Sequence, residues 1–481
     1  MLAKTDAAGG TGLLPEVLAF TSSLSLDRAL LREDLVGSLA HLTMLSRTGL
    51  IPREDSAKIR AHLVSIWRQA EAGTLELPNE EDVHMAVEAH LTAALGPTAG
   101  LLHTARSRND QVSLDLHLHV REEVSLALVS LADLIDQLVT RARGPEGAYV
   151  LPSYTHRQRA QPVSLAYTMA SWGAALARDA KTLSFVLDQS DELPLGVGAV
   201  GGTSLPIDRE ITRELLGFSR RTLNGMDTVG DRDFALDFAY ATAKVLLHAG
   251  RVSTDMIDFS SSEFGFVSLD GEIACGSSMM PQKRNPDVFE LIRGKGGRAT
   301  GNLMGLFTTL KGLPGGYNRD LQEDRQTLLE TGPLLRGVVR MLGVGLSHVR
   351  FRASRMEAAL DGDYTQATDV AEALALKGLP FRSAYKATGS LVRKLQEAGK
   401  PLSAVTLEDA QAVHPDFDAQ VLEAAQVRRS VERKANAGGT GPASVADQLE
   451  ALSEIATRTR ELAAGVPTLS SLLSRLEEAP L

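Results

Sequence analysis

The sequence predicts an all-α fold built around a long central helical bundle. Three observations carry that prediction. Aromatic residues make up only 5% of the 481 residues, and the abundance of alanine and leucine favours helix over sheet. Residues Val112 to Arg143 contain neither glycine nor proline. Within them Val124, Leu128, Leu131, Ile135 and Leu138 recur at spacings of 4, 3, 4 and 3, one apolar seam along a single rod. About 30 residues at 1.5 Å each give a rod of roughly 45 Å.

The other elements follow in order. Segments 25–47 and 52–72 read as shorter helices of an N-terminal helical domain, residues 1–103. A second long helix should start at Pro162, a residue suited to the first helical turn, and run toward Gln189. A third spans Arg232 to Ser262. A fourth follows Asn285-Pro286, with Asn285 as N-cap, and passes Arg293 toward Leu310. It carries Gly294, Gly296, Gly297 and Gly301, read as marks of close helix–helix approach. Another helical stretch follows Gln322 and is interrupted at Pro333. Rods this long need partners on more than one face, so residues 104–355 are expected to form a bundle that doubles as an oligomer core. Residues 356–481 form a C-terminal small helical domain, with breaks at Gly378-Leu379-Pro380, Gly399-Lys400-Pro401 and Ala437 to Pro442.

Composition narrows the function. A net charge of -10 argues against a general nucleic-acid binder and leaves room for a local basic pocket. Cys275 is the only cysteine, so an internal disulfide and a Cys-pair zinc site are excluded and a reducing, cytoplasmic setting is expected. No run of about 18 apolar residues suggests a membrane span. Met1 to Gly12 lacks the basic head and apolar stretch of a secretory signal.

Three polar clusters interrupt the helical pattern. His103 to Gln111 holds Arg106, Arg108, Asn109 and Gln111; guanidinium forks and amides suit carboxylate recognition, although a solvated, capped helix start is the plainer reading. Tyr154 to Pro162 places His156 beside hydroxyl and amide groups, as an acid/base group or a structural loop histidine. Gly276 to Asp287 combines Ser277, Ser278, Lys283 and Arg284 with a following helix N-terminus, which favours anions; Glu290 lies inside that helix. No nucleotide-binding glycine motif and no paired-histidine metal motif is present.

Together these stretches resemble argininosuccinate lyase, of the aspartase/fumarase superfamily. Gly276-Ser277-Ser278-Met279-Met280-Pro281-Gln282-Lys283-Arg284-Asn285-Pro286 is similar to the superfamily signature. The Gln282-Lys283 variant, Glu290-Leu291-Ile292-Arg293 and Arg106 to Gln111 look like the argininosuccinate branch. Leu193 to Gly196, Pro206 to Glu210 and Tyr317 to Asp324 match as well. The resemblance runs from about Phe20 to Ala443. The chain departs from it at the start, where Ala7 to Gly12 replaces a Trp- and Arg-containing segment. Arg157 stands where Leu is usual, and Arg325 where a substrate-contacting Lys is usual.

The resemblance implies a 20-helix core in a homotetramer with active sites shared between subunits. It implies β-elimination of argininosuccinate to arginine and fumarate, without metal or organic cofactor. It makes Ser277 the general base, pairs His156 with Glu290 for proton movement, and has Lys283 supply positive charge that stabilises the aci-carboxylate intermediate. Ser23, Arg108, Asn109, Thr155, Asn285, Tyr317, Gln322 and Arg325 match substrate contacts. Two alternatives stand beside it: a fumarate-releasing lyase of the adenylosuccinate type, and a non-catalytic, crystallin-like structural protein.

Overall fold

The computed structural model describes residues 14–481; the departure at Ala7 to Gly12 lies outside them. The all-α expectation holds, with only four two-stranded strand pairs among the described residues. The first helices of note are α1 (Leu31–Arg47), α2 (Arg53–Glu71) and α3 (Val83–Leu95). The central rod α4 (Arg108–Arg143) is 36 residues long, about 54 Å. It starts at Arg108, four residues before Val112, because Ser107 and Asp110 form a reciprocal capping box that satisfies two orphan amides. Its predicted seam, Val124 to Leu138, is at most 3% exposed.

The second long helix differs from expectation at its start. Pro162 lies in a strand, and β1 (Val150–Thr155) pairs antiparallel with β2 (Gln158–Ser164). Pro162 pairs with Pro152 there, two residues without an N–H facing each other where neither loses a ladder bond. Helix α5 (Leu165–Gln189) begins only after Ser164, whose hydroxyl accepts from the Tyr167 amide. The second polar cluster is therefore a hairpin and not a loop.

Helix α6 (Asp233–Ser260) matches its predicted span. Helix α7 (Asp287–Leu310) is capped at Pro286, not at Asn285. Asn285 instead bridges Cys275 in an extended pair. Helix α8 (Asp324–Ser347) runs through Pro333 without interruption; the burial of Leu334, Leu335, Val338 and Val339 outweighs the one lost helical bond. The close approach expected at Gly294, Gly297 and Gly301 does not occur within the chain, since a side chain there would meet nothing within 4 Å. Gly296 alone has a neighbour, the Leu246 carbonyl at 3.9 Å.

One apolar core joins α4 to α8 with α9 (Pro442–Ala464). A second joins α1 to α3 with the last helix α10 (Leu469–Glu478). A third lies within Val370 to Ala425. The chain thus leaves the bundle for a small C-terminal unit and returns, first to the bundle and then to the N-terminal helices. Among the described residues no helix is long and apolar enough to cross a membrane.

Candidate active site

The third cluster folds as an arch. Cys275 pairs with Asn285 and Gly276 with Arg284, which closes residues 277–283 into one turn. At its start the Ser277 hydroxyl oxygen accepts backbone N–H groups from Met279 at 3.2 Å and Met280 at 3.0 Å. Two donors on one oxygen favour its anionic form. Lys283, at the foot of the arch, and Glu290, in the first turns of α7, are both exposed. Met279 is 86% exposed, so the arch stands clear of its own chain.

The hairpin tip carries His156 at φ 50° and Arg157 at φ 59°. Two consecutive left-handed residues between Thr155 and Gln158 are what a two-residue turn of type I′ demands. Neither residue is glycine, so the turn stores strain on the order of 1–3 kcal/mol per residue. Arg157 anchors it: its guanidinium donates to Asp258 at the end of α6 at 2.6 Å. Arg159 reaches Asp363 at 3.2 Å. Thr155 and His156 face outward. Among the described residues no hydrogen bond or ion pair joins His156 to Ser277, Lys283 or Glu290.

The first cluster lies at the start of α4. Arg108 donates to Gln111 at 2.9 Å, and its Nε lies 3.4 Å from Asp82. Its Nη2 is buried without a hydrogen bond and lies 3.9 Å from the Glu88 carboxylate, a second, longer ion pair. Gln111 in turn donates to Asp34. The Asn109 amide donates to the Ala199 carbonyl at 3.1 Å. Behind them Asp34, His84 and Asp115 place one ligand-type atom each within 4.8 Å of one another. His84 faces carboxylates with both nitrogens, Asp115 at 2.7 Å and Asp82 at 3.5 Å. Burial disfavours its charge, yet the bonds to Asp115 and Asp82 prevail and push it up to about 9. His84, Asp115 and Asp82 are joined as a buried ion network through these contacts.

That network sets a pH dependence. The His84 value in the folded chain lies above its value of about 6.5 in the unfolded chain. Its contribution is therefore complete below pH 6.5 and is lost as pH rises through about 9. Melting temperatures between pH 6.5 and 9.5 should fall more steeply for wild type than for His84→Asn; parallel curves would remove His84 from the balance.

Arg325 is not a free cation. It is 3% exposed and pairs with Asp27 at 2.7 Å and Asp324 at 3.2 Å. Asp324 also holds buried Arg232. The Ser23 hydroxyl donates to Asp27. Gln322 donates to the Thr21 carbonyl at 3.0 Å. Burial raises the half-buried Tyr317 phenol against the pull of Arg325. Removing one partner of such a buried group strands the other, a cost of about 3–5 kcal/mol. Arg325→Ala should thus lower both the melting temperature and turnover, with Arg325→Lys recovering much of each. An alanine variant that melts like wild type would show that the pairing contributes nothing.

These groups sit at two ends of the bundle. Arg232, at the start of α6, touches Asp324, and Asp258 near its end touches Arg157. The 28 residues of α6 set these ends about 40 Å apart. Helix α7 lies antiparallel to it, with Arg293 beside Gly250, so the Ser277 arch shares the hairpin end. Gly316 touches Gly230, which puts Tyr317 at the other end with Ser23, Arg108, Asn109, Gln322 and Arg325. The residues Asp27, Asp82, His84, Arg232 and Asp324 were not singled out from sequence. Only Asp82 carries a local signal, as the cap of α3 whose carboxylate accepts from Met85.

Comparison with known proteins agrees with the fold and narrows it. A lyase family model matches residues 16–301, and an argininosuccinate lyase C-terminal model matches residues 364–432. The argininosuccinate lyase of Thermus thermophilus is 45% identical over 453 residues, 93% of this chain and 98% of that protein. That of Symbiobacterium thermophilum is 44% identical over 440 residues, 91% and 95% of the two chains. Among solved structures, an EDDS lyase in complex with formate superposes with a TM-score of 0.81 at 25% identity, covering 94% of this chain and 91% of that one. A fumarate lyase from Mesorhizobium shares the fold alone, with a TM-score of 0.70 at 17% identity over 91% and 97% of the two chains. Identity of this order along nearly the whole length, with both family models in register, makes the chain a carbon–nitrogen lyase of the argininosuccinate lyase family.

Proposed function

We propose that the chain performs the reversible β-elimination that splits argininosuccinate into L-arginine and fumarate, the last step of arginine biosynthesis. The observation that carries this reading is the Ser277 oxygen held by two backbone amides. An alkoxide so held removes the weakly acidic proton beside a substrate carboxylate. The resulting aci-carboxylate dianion needs fixed positive charge, which Lys283 and the N-terminus of α7 supply, with Asn285 beside them. His156, assisted by Glu290, delivers a proton to the departing guanidino nitrogen. Arg108, Asn109, Thr155, Tyr317 and Gln322 orient the substrate with Ser23. Arg325 holds Asp27, and through it Ser23. Protein groups supply all the charge this path requires, with no cofactor.

The catalytic groups lie at one end of the bundle and most of the substrate contacts at the other, so the reading includes a homotetramer whose sites are shared between subunits. The exposed face of α6 and α7 supports it: Tyr240, Leu247, Met304 and Phe307 are each at least 51% exposed beside the open glycines. A face this apolar is suited to helices of other copies. Exposed Cys275 fits a reducing, cytoplasmic setting. Ultraviolet detection of fumarate released from argininosuccinate tests the activity, with adenylosuccinate assayed in parallel. Turnover of adenylosuccinate alone would replace the substrate, and silence with both would leave the crystallin-like reading.

A further inference from the structure

Asp110 is singled out by its two oxygens. One closes the capping box by accepting the Ser107 amide at 3.0 Å. The other accepts two amides from a distant segment, Gly196 at 3.0 Å and Gly198 at 2.8 Å. Helix capping explains only the first of these bonds. The carboxylate is fully buried, and burial pushes it up to about 6 against the pull of those N–H groups and of Arg106. An asparagine of the same shape has one acceptor oxygen and would turn its NH2 toward an N–H. The arrangement therefore calls for a carboxylate where a neutral cap would serve α4 equally well.

The partner segment is shaped to meet it. Gly196 and Gly198 adopt φ of 95° and 65°, which side chains resist. A Cβ at Gly198 would come within 2.9 Å of the Gly202 carbonyl oxygen, and one at Gly196 within 2.7 Å of Arg209. Arg209 ties the same segment from behind, donating to the carbonyls of Leu193 and Leu195 at 2.7 and 3.0 Å. The next residue, Ala199, offers the carbonyl that receives the Asn109 amide. Asp110 thus fixes the segment on one side, and Asn109, its neighbour in sequence, is aimed by the carbonyl that the segment presents.

We propose that Asp110 is a positioning residue for the lyase reaction, which locks the 193–202 segment against the start of α4 so that the Ala199 carbonyl orients Asn109 toward substrate. This rests on the reading of Asn109 as a substrate contact. The helix cap is a separate, purely structural duty of the same side chain, and the experiment separates the two.

The test is a double-mutant cycle on kcat/KM for argininosuccinate cleavage, with Asp110→Asn, Asn109→Ala and the pair. A displacement near 1 Å in a positioning group costs on the order of 10²-fold, so Asp110→Asn should lose about that much in the wild-type background. In the Asn109→Ala background it should lose almost nothing further, because the group it aims is gone. Losses that multiply would overturn the proposal and leave Asp110 a structural cap, as would an Asp110→Asn enzyme of unchanged kcat/KM. If Asp110→Asn fails to fold, Ala199→Gly takes its place in the cycle. It keeps every hydrogen bond but loosens the segment, and a several-fold loss confined to the Asn109 background is expected; multiplicative losses or none would overturn the proposal. A wild-type enzyme that releases no fumarate defeats the functional reading itself, whereas an active wild type with multiplicative losses defeats only the role of Asp110.

Discussion

Ser277→Ala is expected to abolish elimination while substrate still binds. The Ser277 oxygen receives the amides of Met279 and Met280 at the mouth of an arch closed by the Cys275–Asn285 pairing. These donors gain strength as the oxygen becomes anionic, so their worth is realised in the proton-transfer step and not in the ground state. Loss of a base or of oxyanion-type stabilisation costs on the order of 10²–10³ in rate or more. The mutation deletes one oxygen of a half-buried side chain and leaves the strand pairing and Lys283 in place, so the fold and the affinity for substrate should change little. The expected pattern is a collapse of kcat, with an unchanged melting temperature and an unchanged dissociation constant measured calorimetrically. Turnover near wild type in a folded variant would take Ser277 out of the mechanism.

The sequence shows what depends on local periodicity and local chemistry. The α4 seam, the spans of α1, α2 and α6, and the three polar clusters were legible because each rests on residues close together in the chain. The start of α5 was not. Pro162 suits a helical first turn and a non-donating strand position equally, and the choice fell to pairing with Pro152 across the hairpin. The helix through Pro333 shows the same override, since buried Leu328 on one side and Leu334, Leu335, Val338 and Val339 on the other hold α8 together. Arg325 read as a cation for substrate because its partner Asp27 lies hundreds of residues away and carries no motif. The glycines of α7 announced a close approach, and the described chain leaves them bare.

Mixing two inactive variants should restore activity, and the distance between the two ends of the bundle is the reason. Within one chain Asn109 sits at the end anchored by Arg232 and Asp324, and Ser277 sits near the end anchored by Arg157 and Asp258, about 40 Å away along α6. Elimination needs its groups within a few Å of one substrate, so no single chain can bring Asn109 and Ser277 to the same molecule. In the proposed tetramer, antiparallel association of the rods across the exposed face of α6 and α7 would set one end of a chain beside the opposite end of another. Asn109→Leu and Ser277→Ala proteins should each be inactive alone. Unfolded together in equal amounts and refolded, random tetramers give each site an even chance of an intact residue at either position. About a quarter of sites then carry both, and activity returns to about a quarter of wild type. Were both residues supplied by one chain, every site would keep a defect and no mixture would recover. Mixed tetramers verified by mass spectrometry yet inactive would therefore rule out the shared site, and with it the assignment of either Asn109 or Ser277.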